Sequence, residues 1–165
     1  MPFESLTDDK ILDLITCPKH LTNPQARIRN KEGHMQVNYR ATATDGTENE
    51  FEIYKRQNLR EGMEDDFSCG IAWIAPSGET LTLRRYNGPG HQHSNQIENV
   101  TLDNCCHIHL ATEKYIKANR KAEGYADPSD RYITLDGAFA CLVKDCNISG
   151  IKTTPDNLSQ QYLFK

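Results

Sequence analysis

Gln36-Val37-Asn38-Tyr39-Arg40-Ala41-Thr42-Ala43 alternates polar and apolar residues with a period of two, the pattern of a strand with one buried face. Asp45-Gly46 supplies a hairpin turn, and Phe51 with Ile53 carries the alternation back along a return strand. A second hairpin runs from Phe67, Cys69, Ile71 and Trp73, through the turn Pro76-Ser77-Gly78, into Thr80-Leu81-Thr82-Leu83. From Gln36 to Asn87 the chain therefore reads as an antiparallel meander.

Before the meander, Thr7 can cap a helix whose first turn holds Asp8 and Asp9, with Leu6 stapled onto Ile11. Ile11, Leu12, Leu14 and Ile15 give that helix a buried stripe, and Pro18 ends it. After the meander, Asn87 to Asn104 is rich in Gly, Pro, Asn, Gln and Ser and reads as a long loop carrying His91 and His93. Cys105 to Leu110 reads as a fifth strand. Thr112 can cap a helix through Tyr115, Ile116 and Lys117 to about Arg120, with Gly124 past its end. Ala126-Asp127-Pro128-Ser129-Asp130 is turn-prone, and Leu135, Ala138, Phe139, Leu142 and Val143 mark a last helix.

The expected fold class is α+β: a curved antiparallel sheet of about five strands, one N-terminal helix and two helices after the sheet. Residues 1–148 are expected to form a single α+β domain. Residues 149–165 read as a polar C-terminal tail whose Tyr162-Leu163-Phe164 end docks locally or stays disordered.

With 165 residues, 37% of them hydrophobic, the chain can bury one core. No run approaches the roughly 20 apolar residues that span a bilayer. The start, Met1-Pro2-Phe3-Glu4-Ser5-Leu6, has neither the basic nor the apolar region of a secretory signal. The expectation is a cytoplasmic protein with no membrane partner, whose six cysteines form no disulfide scaffold and include no C-x-x-C pair. A net charge of −4 argues against indiscriminate binding of nucleic acid. Charge is nevertheless uneven: between Arg84 and Lys121 there are six basic residues and three acidic ones.

That basic stretch also holds four of the six histidines, as His91-x-His93 and His107-x-His109. Two residues apart on a strand, His107 and His109 present both imidazoles to one surface, and Gly88-Pro89-Gly90 lets the chain before His91 turn back over the sheet. Three readings of the histidines stay open. Two unrelated surface pairs is the plainest. In the second, His91, His93, His107 and His109 close on a divalent metal such as zinc, with Glu98, Asp103 and Glu113 the nearby carboxylates.

In the third reading no cofactor is needed. One histidine takes the proton of a ribose 2′-hydroxyl, another protonates the leaving 5′-oxygen, and Arg84 or Arg85 steadies the phosphate. Tyr86 can stack or donate, and Asn87 follows it at the strand end. Glu113 is placed to orient a histidine or act as a base, although the first turn of a helix favours a carboxylate in any case. Lys117, Arg120 and Lys121, with Lys114, form either a solvated helix face or a substrate-binding patch.

The run Arg85-Tyr86-Asn87-Gly88-Pro89 before one histidine pair, with a His-x-His strand after it, resembles the signature of TumE-type toxins of bacterial toxin–antitoxin modules. In that family a strand ending in Arg-Tyr-Asp-Asn precedes Pro-His-His and a later His-rich segment. The chain is also similar to a group of small bacterial and mobile-element proteins through Phe67-Ser68, His91, His93, His107, His109, Ala111-Thr112-Glu113, Asp130-Arg131-Tyr132 and Cys146-Asn147-Ile148. The resemblance covers about half the chain. It implies an RNA-directed toxin of a toxin–antitoxin or phage-defence system, held in check by a cognate antitoxin, with Arg131 among the substrate-binding residues. The first motif is spread over Asn87 to His93, and Ile108 separates the second pair where the family has Lys.

The leading expectation is thus a metal-independent endoribonuclease. Its rivals are a histidine-ligated metalloprotein and a non-enzymatic binding protein for a nucleotide or a host protein.

Overall fold

A computed structural model describes residues 3–90 and 92–156. Helix α1 spans Asp8–Thr16; the Thr7 hydroxyl accepts from the Lys10 N–H at 3.2 Å, as the capping signal predicts. Its buried stripe is Ile11, Leu14 and Ile15, whereas Leu12 is half exposed. Full burial of such side chains is worth about 1.5–3 kcal/mol each before the cost of ordering the chain, so the stripe suffices to hold two or three turns on a sheet.

The meander is present as β3 (His34–Ala43), β4 (Glu50–Asn58), β5 (Phe67–Ile74) and β6 (Thr80–Asn87), each antiparallel to the next. Gly46 and Gly78 take the positive φ values that the two hairpin turns need. Strand β9 (His107–Leu110) pairs with β6, as the fifth strand expected.

The sheet is larger than five strands. It has nine, because short segments without clear periodicity add to both edges. These are β1 (Lys19–Leu21), β2 (Arg29–Lys31), β10 (Tyr125–Pro128) and β11 (Ile148–Ser149). The order is β10-β9-β6-β5-β4-β3-β1-β11, with β2 also on β3, and β1–β11 is a parallel pair. The stretch Ala126 to Pro128, expected as a turn, is thus edge strand, and Pro128 is tolerated at its end. The segment expected as one long loop holds a separate hairpin, β7 (His93–Asn95) and β8 (Val100–Leu102).

Helix α2 is Glu113–Lys117, shorter than the expected run to Arg120. Asn119 takes a left-handed φ of 57° and the Arg120 N–H turns back to the Tyr115 carbonyl, which closes the helix before Arg120 and Lys121. Gly124 is not its cap; it lies flat against the Tyr115 ring, where a Cβ would come within 2.7 Å of Cδ2. Helix α3 (Leu135–Asp145) buries Leu135, Ala138, Phe139 and Leu142 as its spacing predicts.

Both long helices lie on one face of the sheet. Phe139 meets Tyr39 with ring centroids 5.7 Å apart, and buried Lys19 ties the C-terminal ends of α1 and α3 together by donating to the carbonyls of Ile15, Cys17 and Cys146 at 2.7–2.9 Å. The six cysteines are free thiols. The segment after β11 folds back to α3, where the Asp156 carboxylate accepts from the Ile133 and Thr134 N–H groups and the Thr134 hydroxyl. Tyr162-Leu163-Phe164 lies outside the described residues, and among those residues no helix is long and apolar enough to cross a membrane.

Candidate functional site

Among the described residues no helix lies on the opposite face of the sheet, and a β-bulge decides which side chains reach it. Ile71 pairs with Arg84 but Ala72 pairs with Thr82, so Leu83 is an extra residue in β6. Below the bulge Leu81 and Leu83 face the core; above it the alternation is reset, with Arg84 and Tyr86 on the helical face and Arg85 and Asn87 on the open one. Because β9 pairs with β6 at Arg85↔His109 and Asn87↔His107, both histidines join the open face. Across the other side of β6, Gly70 and Tyr54 continue the row of Arg85, while Ser68 and Arg56 continue that of Asn87.

Arg84, Tyr86 and Arg131 therefore lie elsewhere from the histidines. All three converge on Asp145 at the end of α3. The Tyr86 hydroxyl donates to Oδ2 at 2.5 Å, Arg131 binds both carboxylate oxygens at 2.8 and 2.9 Å, and Arg84 comes within 3.5 Å. Burial drives the Tyr86 phenol far above its ordinary value, so this cluster is a fixed cross-brace between sheet and helix. Glu113 pairs with Lys117 along α2 at 2.6 Å, which lowers its carboxyl, and its own N–H binds Asp8 of α1. Lys114 pairs with Glu98 at 2.8 Å, and Arg120 and Lys121 are exposed beyond α2. Of the expected basic face, Lys114 and Lys117 are each paired with a carboxylate, while Arg120 and Lys121 are exposed.

What the structure brings together is a trio of imidazoles. His93 from β7 and His107 and His109 from β9 have ring centroids 4.5–5.6 Å apart, with His93 stacked on His107 and edge-on to His109. The β7–β8 hairpin holds His93 in place through Asn95, whose side-chain amide donates to the Ala126 carbonyl at 2.9 Å and accepts from the Ala126 N–H at 2.8 Å. His107 and His109 are buried, and His93 is half-buried. His91, expected in the same cluster, lies outside the described residues.

Each ring is fixed by a main-chain carbonyl. His107 Nδ1 meets the Cys105 oxygen at 2.9 Å, His109 Nδ1 the Glu123 oxygen at 2.8 Å, and His93 Nε2 the Gly124 oxygen at 3.0 Å. A carbonyl only accepts, so His107 Nδ1, His109 Nδ1 and His93 Nε2 each carry a proton, and in a neutral His109 ring the lone pair sits on Nε2. Burial, and then the Arg85 guanidinium, push the His109 imidazole down to about 3, so it is neutral throughout the physiological range.

Arg85 itself has no acidic partner among the described residues, and its buried Nε has no hydrogen bond; nor has Asn87 Oδ1 beside it. An unpaired guanidinium next to an unsatisfied amide oxygen is costly unless something else completes it. Both line a hollow of about 460 Å³ on the open face, with Gln36, Tyr54, Arg56, Asp66 and Ser68 around them. The loop after β6 packs against the turn before β5. A Cβ at Gly88 would run into the Asp65 carbonyl, so this glycine serves a close approach and not a left-handed turn.

Several of these residues carry a signal in the sequence. The period-two alternation that buries Phe51, Ile53, Cys69 and Ile71 puts Tyr54, Arg56, Ser68 and Gly70 on the reverse face. Glu123 and Asn95, which position His109 and His93, sit in segments with no periodicity and carry none. Among the described residues no three His, Cys, Asp or Glu side chains are placed to hold a metal ion together. Set against known proteins, the chain matches no family model, no curated protein and no solved structure.

Proposed function

We propose that the open face binds a phosphate ester of RNA or a nucleotide at Arg85, and that the adjoining histidines cleave the RNA backbone, as in an RNA-directed toxin restrained by a cognate antitoxin. The observation that carries the reading is Arg85. Among the described residues it is a guanidinium without a carboxylate partner, on the face opposite the long helices, one strand from His109 and flanked by Arg56, Ser68 and Asn87. Such a fork of donors suits a phosphate.

In this mechanism a neutral imidazole lone pair accepts the proton of a ribose 2′-hydroxyl. The 2′-oxygen attacks phosphorus, and the 5′-oxygen leaves with a proton, giving a cyclic phosphate and a 5′-hydroxyl. His109 suits the accepting role because it is held neutral, with Nδ1–H tied to Glu123 and Nε2 carrying the lone pair. His93, half-buried, suits the donating role in its protonated form, and His107 packs against both rings, stacked on His93 and edge-on to His109. Arg85 offsets the charge that develops on the phosphate.

The test is induced expression of the natural chain beside Arg85→Gln, following growth and total RNA. Arrest with RNA cleavage, lost in a folded Arg85→Gln protein, is the expected result. Normal growth with abundant folded natural protein overturns the nuclease; retained nucleotide binding would then make it a binding protein.

One observation favours a second reading. Metal-ligating imidazoles donate their other N–H to a carbonyl or carboxylate, and all three rings here are anchored in that way, although a metal would require them to turn, because as placed they do not converge on one ion. Stoichiometric zinc, manganese or nickel in purified protein, lost in His109→Gln, would establish that centre and replace direct proton transfer by the rings.

A further inference from the structure

We infer that the substrate is a single RNA strand laid across the open sheet face, its phosphate at Arg85 and the neighbouring nucleoside in a second hollow beyond Tyr54. The inference rests on Arg85 being the phosphate anchor, and adds the class of nucleic acid that the face takes. Beside the hollow of Arg85 lies a larger one of about 600 Å³, lined by Asn38, Arg40, Ala72, Thr80 and Thr82. Gln36 and Tyr54 line both, so the two hollows form one trough with Tyr54 at its division.

The two ends differ in chemistry. No acid pairs with Arg56 or Arg85 among the described residues, and the one carboxylate lining the smaller hollow, Asp66, is engaged by Asn58 at 2.9 Å and His34 at 3.8 Å, so two cations there are available. In the larger hollow Arg40 is engaged by Glu52 at 3.5 Å, and what remains is the amides of Asn23, Gln36 and Asn38, two threonine hydroxyls and the small floor of Ala72. Cations suit phosphate, whereas amides and hydroxyls over a small floor suit the edges of a base and the hydroxyls of a ribose.

Between them the Tyr54 ring rests on bare backbone. A Cβ at Gly70 would come within 2.8 Å of Tyr54 Cε1 and 3.0 Å of the Arg84 carbonyl oxygen, so only glycine lets the ring lie there. Its hydroxyl is 3.4 Å from Ser68 Oγ. An aromatic ring seated on a sheet between a cationic and a neutral polar hollow is a stacking platform for an unpaired base. A duplex keeps its bases stacked on one another and has no free face for it.

The test measures binding of a short labelled RNA as a single strand, as the annealed duplex, and as an abasic strand with the same phosphates. The single strand should bind at least about tenfold more tightly than the other two. Tyr54→Leu should weaken it by about tenfold and Tyr54→Phe should leave it unchanged, since the ring and not the hydroxyl stacks. Ala72→Met, which fills the larger hollow from an accessible position, should weaken RNA binding without altering competition by inorganic phosphate. An abasic strand bound as tightly as RNA, or indifference to both Tyr54→Leu and Ala72→Met while Arg85→Gln abolishes binding, would overturn the single-strand track and leave the phosphate anchor standing. RNA binding that survives Arg85→Gln, or no RNA binding by the natural chain, would overturn both.

Discussion

Arg85 and His109 are register partners on neighbouring strands, and the guanidinium of the first helps hold the imidazole of the second in its neutral form. One charged residue thus has two effects: it offers an anion site on the open face, and it keeps the adjacent ring as a lone-pair donor.

The two adjacent arginines should therefore separate cleanly. Arg85→Gln is expected to abolish phosphate binding, measured by calorimetric titration, and to raise the His109 pKa seen by NMR. Arg84→Gln should leave phosphate binding unchanged and cost about 1 kcal/mol of stability, because it loosens one contact of the Asp145 brace while Arg131 and Tyr86 remain. The reverse assignment of effects would mean that the bulge at Leu83 does not set which arginine reaches the open face.

The depressed His109 also makes a statement about pH. In the unfolded chain the ring titrates at its ordinary 6.5, whereas in the folded protein it stays neutral down to about 3. Between those values the unfolded state binds the extra proton, so stability from this ring is fully present above 6.5 and is lost as pH falls toward 3. Unfolding free energies of the natural protein and His109→Asn, measured across that range, should differ in slope by about one proton. Parallel curves would show that His109 titrates normally in the fold.

How far the sequence discloses this molecule depends on whether a segment has a period. The alternation at Val37 to Ala43 and again at Phe67 to Trp73 specifies the central strands, and with them the faces of Tyr54 and Ser68. The three-residue strand at Lys19–Leu21 and the two-residue strand at Ile148–Ser149 are too short to repeat anything, so the sheet reads as smaller than it is. Arg84 and Arg85 are the most instructive pair. Alternation alone, continued from Leu81 and Leu83, would aim Arg85 at the core, and only the extra residue at Leu83 reverses it. Of the expected site, Arg85, Asn87, His93, His107 and His109 come together, while Arg84, Tyr86 and Arg131 meet at Asp145 because strand neighbours point opposite ways.

Lys19 offers a test of the helical layer. Its ammonium lies beneath the sheet edge with 1% exposure, lowered from its ordinary pKa by that burial, and satisfies three carbonyls at the ends of α1 and α3 while lying 4.7 Å from the Phe51 ring centre. Lys19→Met retains most of the volume but leaves those carbonyls without donors. The expected loss is about 2–4 kcal/mol in denaturant unfolding. A change below about 0.5 kcal/mol, the range of ordinary surface substitutions, would mean that other donors or water replace the ammonium.

The segment after β11 is expected to act as an external cap for α3. Asp156 accepts from two N–H groups and a hydroxyl just ahead of the helix, where a carboxylate also meets the positive end of the helix dipole. Gly137 is what makes room: a Cβ there would collide with the Asp156 carboxylate. Asp156→Ala should cost about 1–2 kcal/mol. Gly137→Ala, which by helix propensity alone should gain about 1 kcal/mol, should instead lose stability by displacing the carboxylate. In the Asp156→Ala background that penalty should vanish and the propensity gain reappear, so a double-mutant cycle reads the contact directly. Additive effects of the two substitutions would show that Asp156 and Gly137 do not share this space.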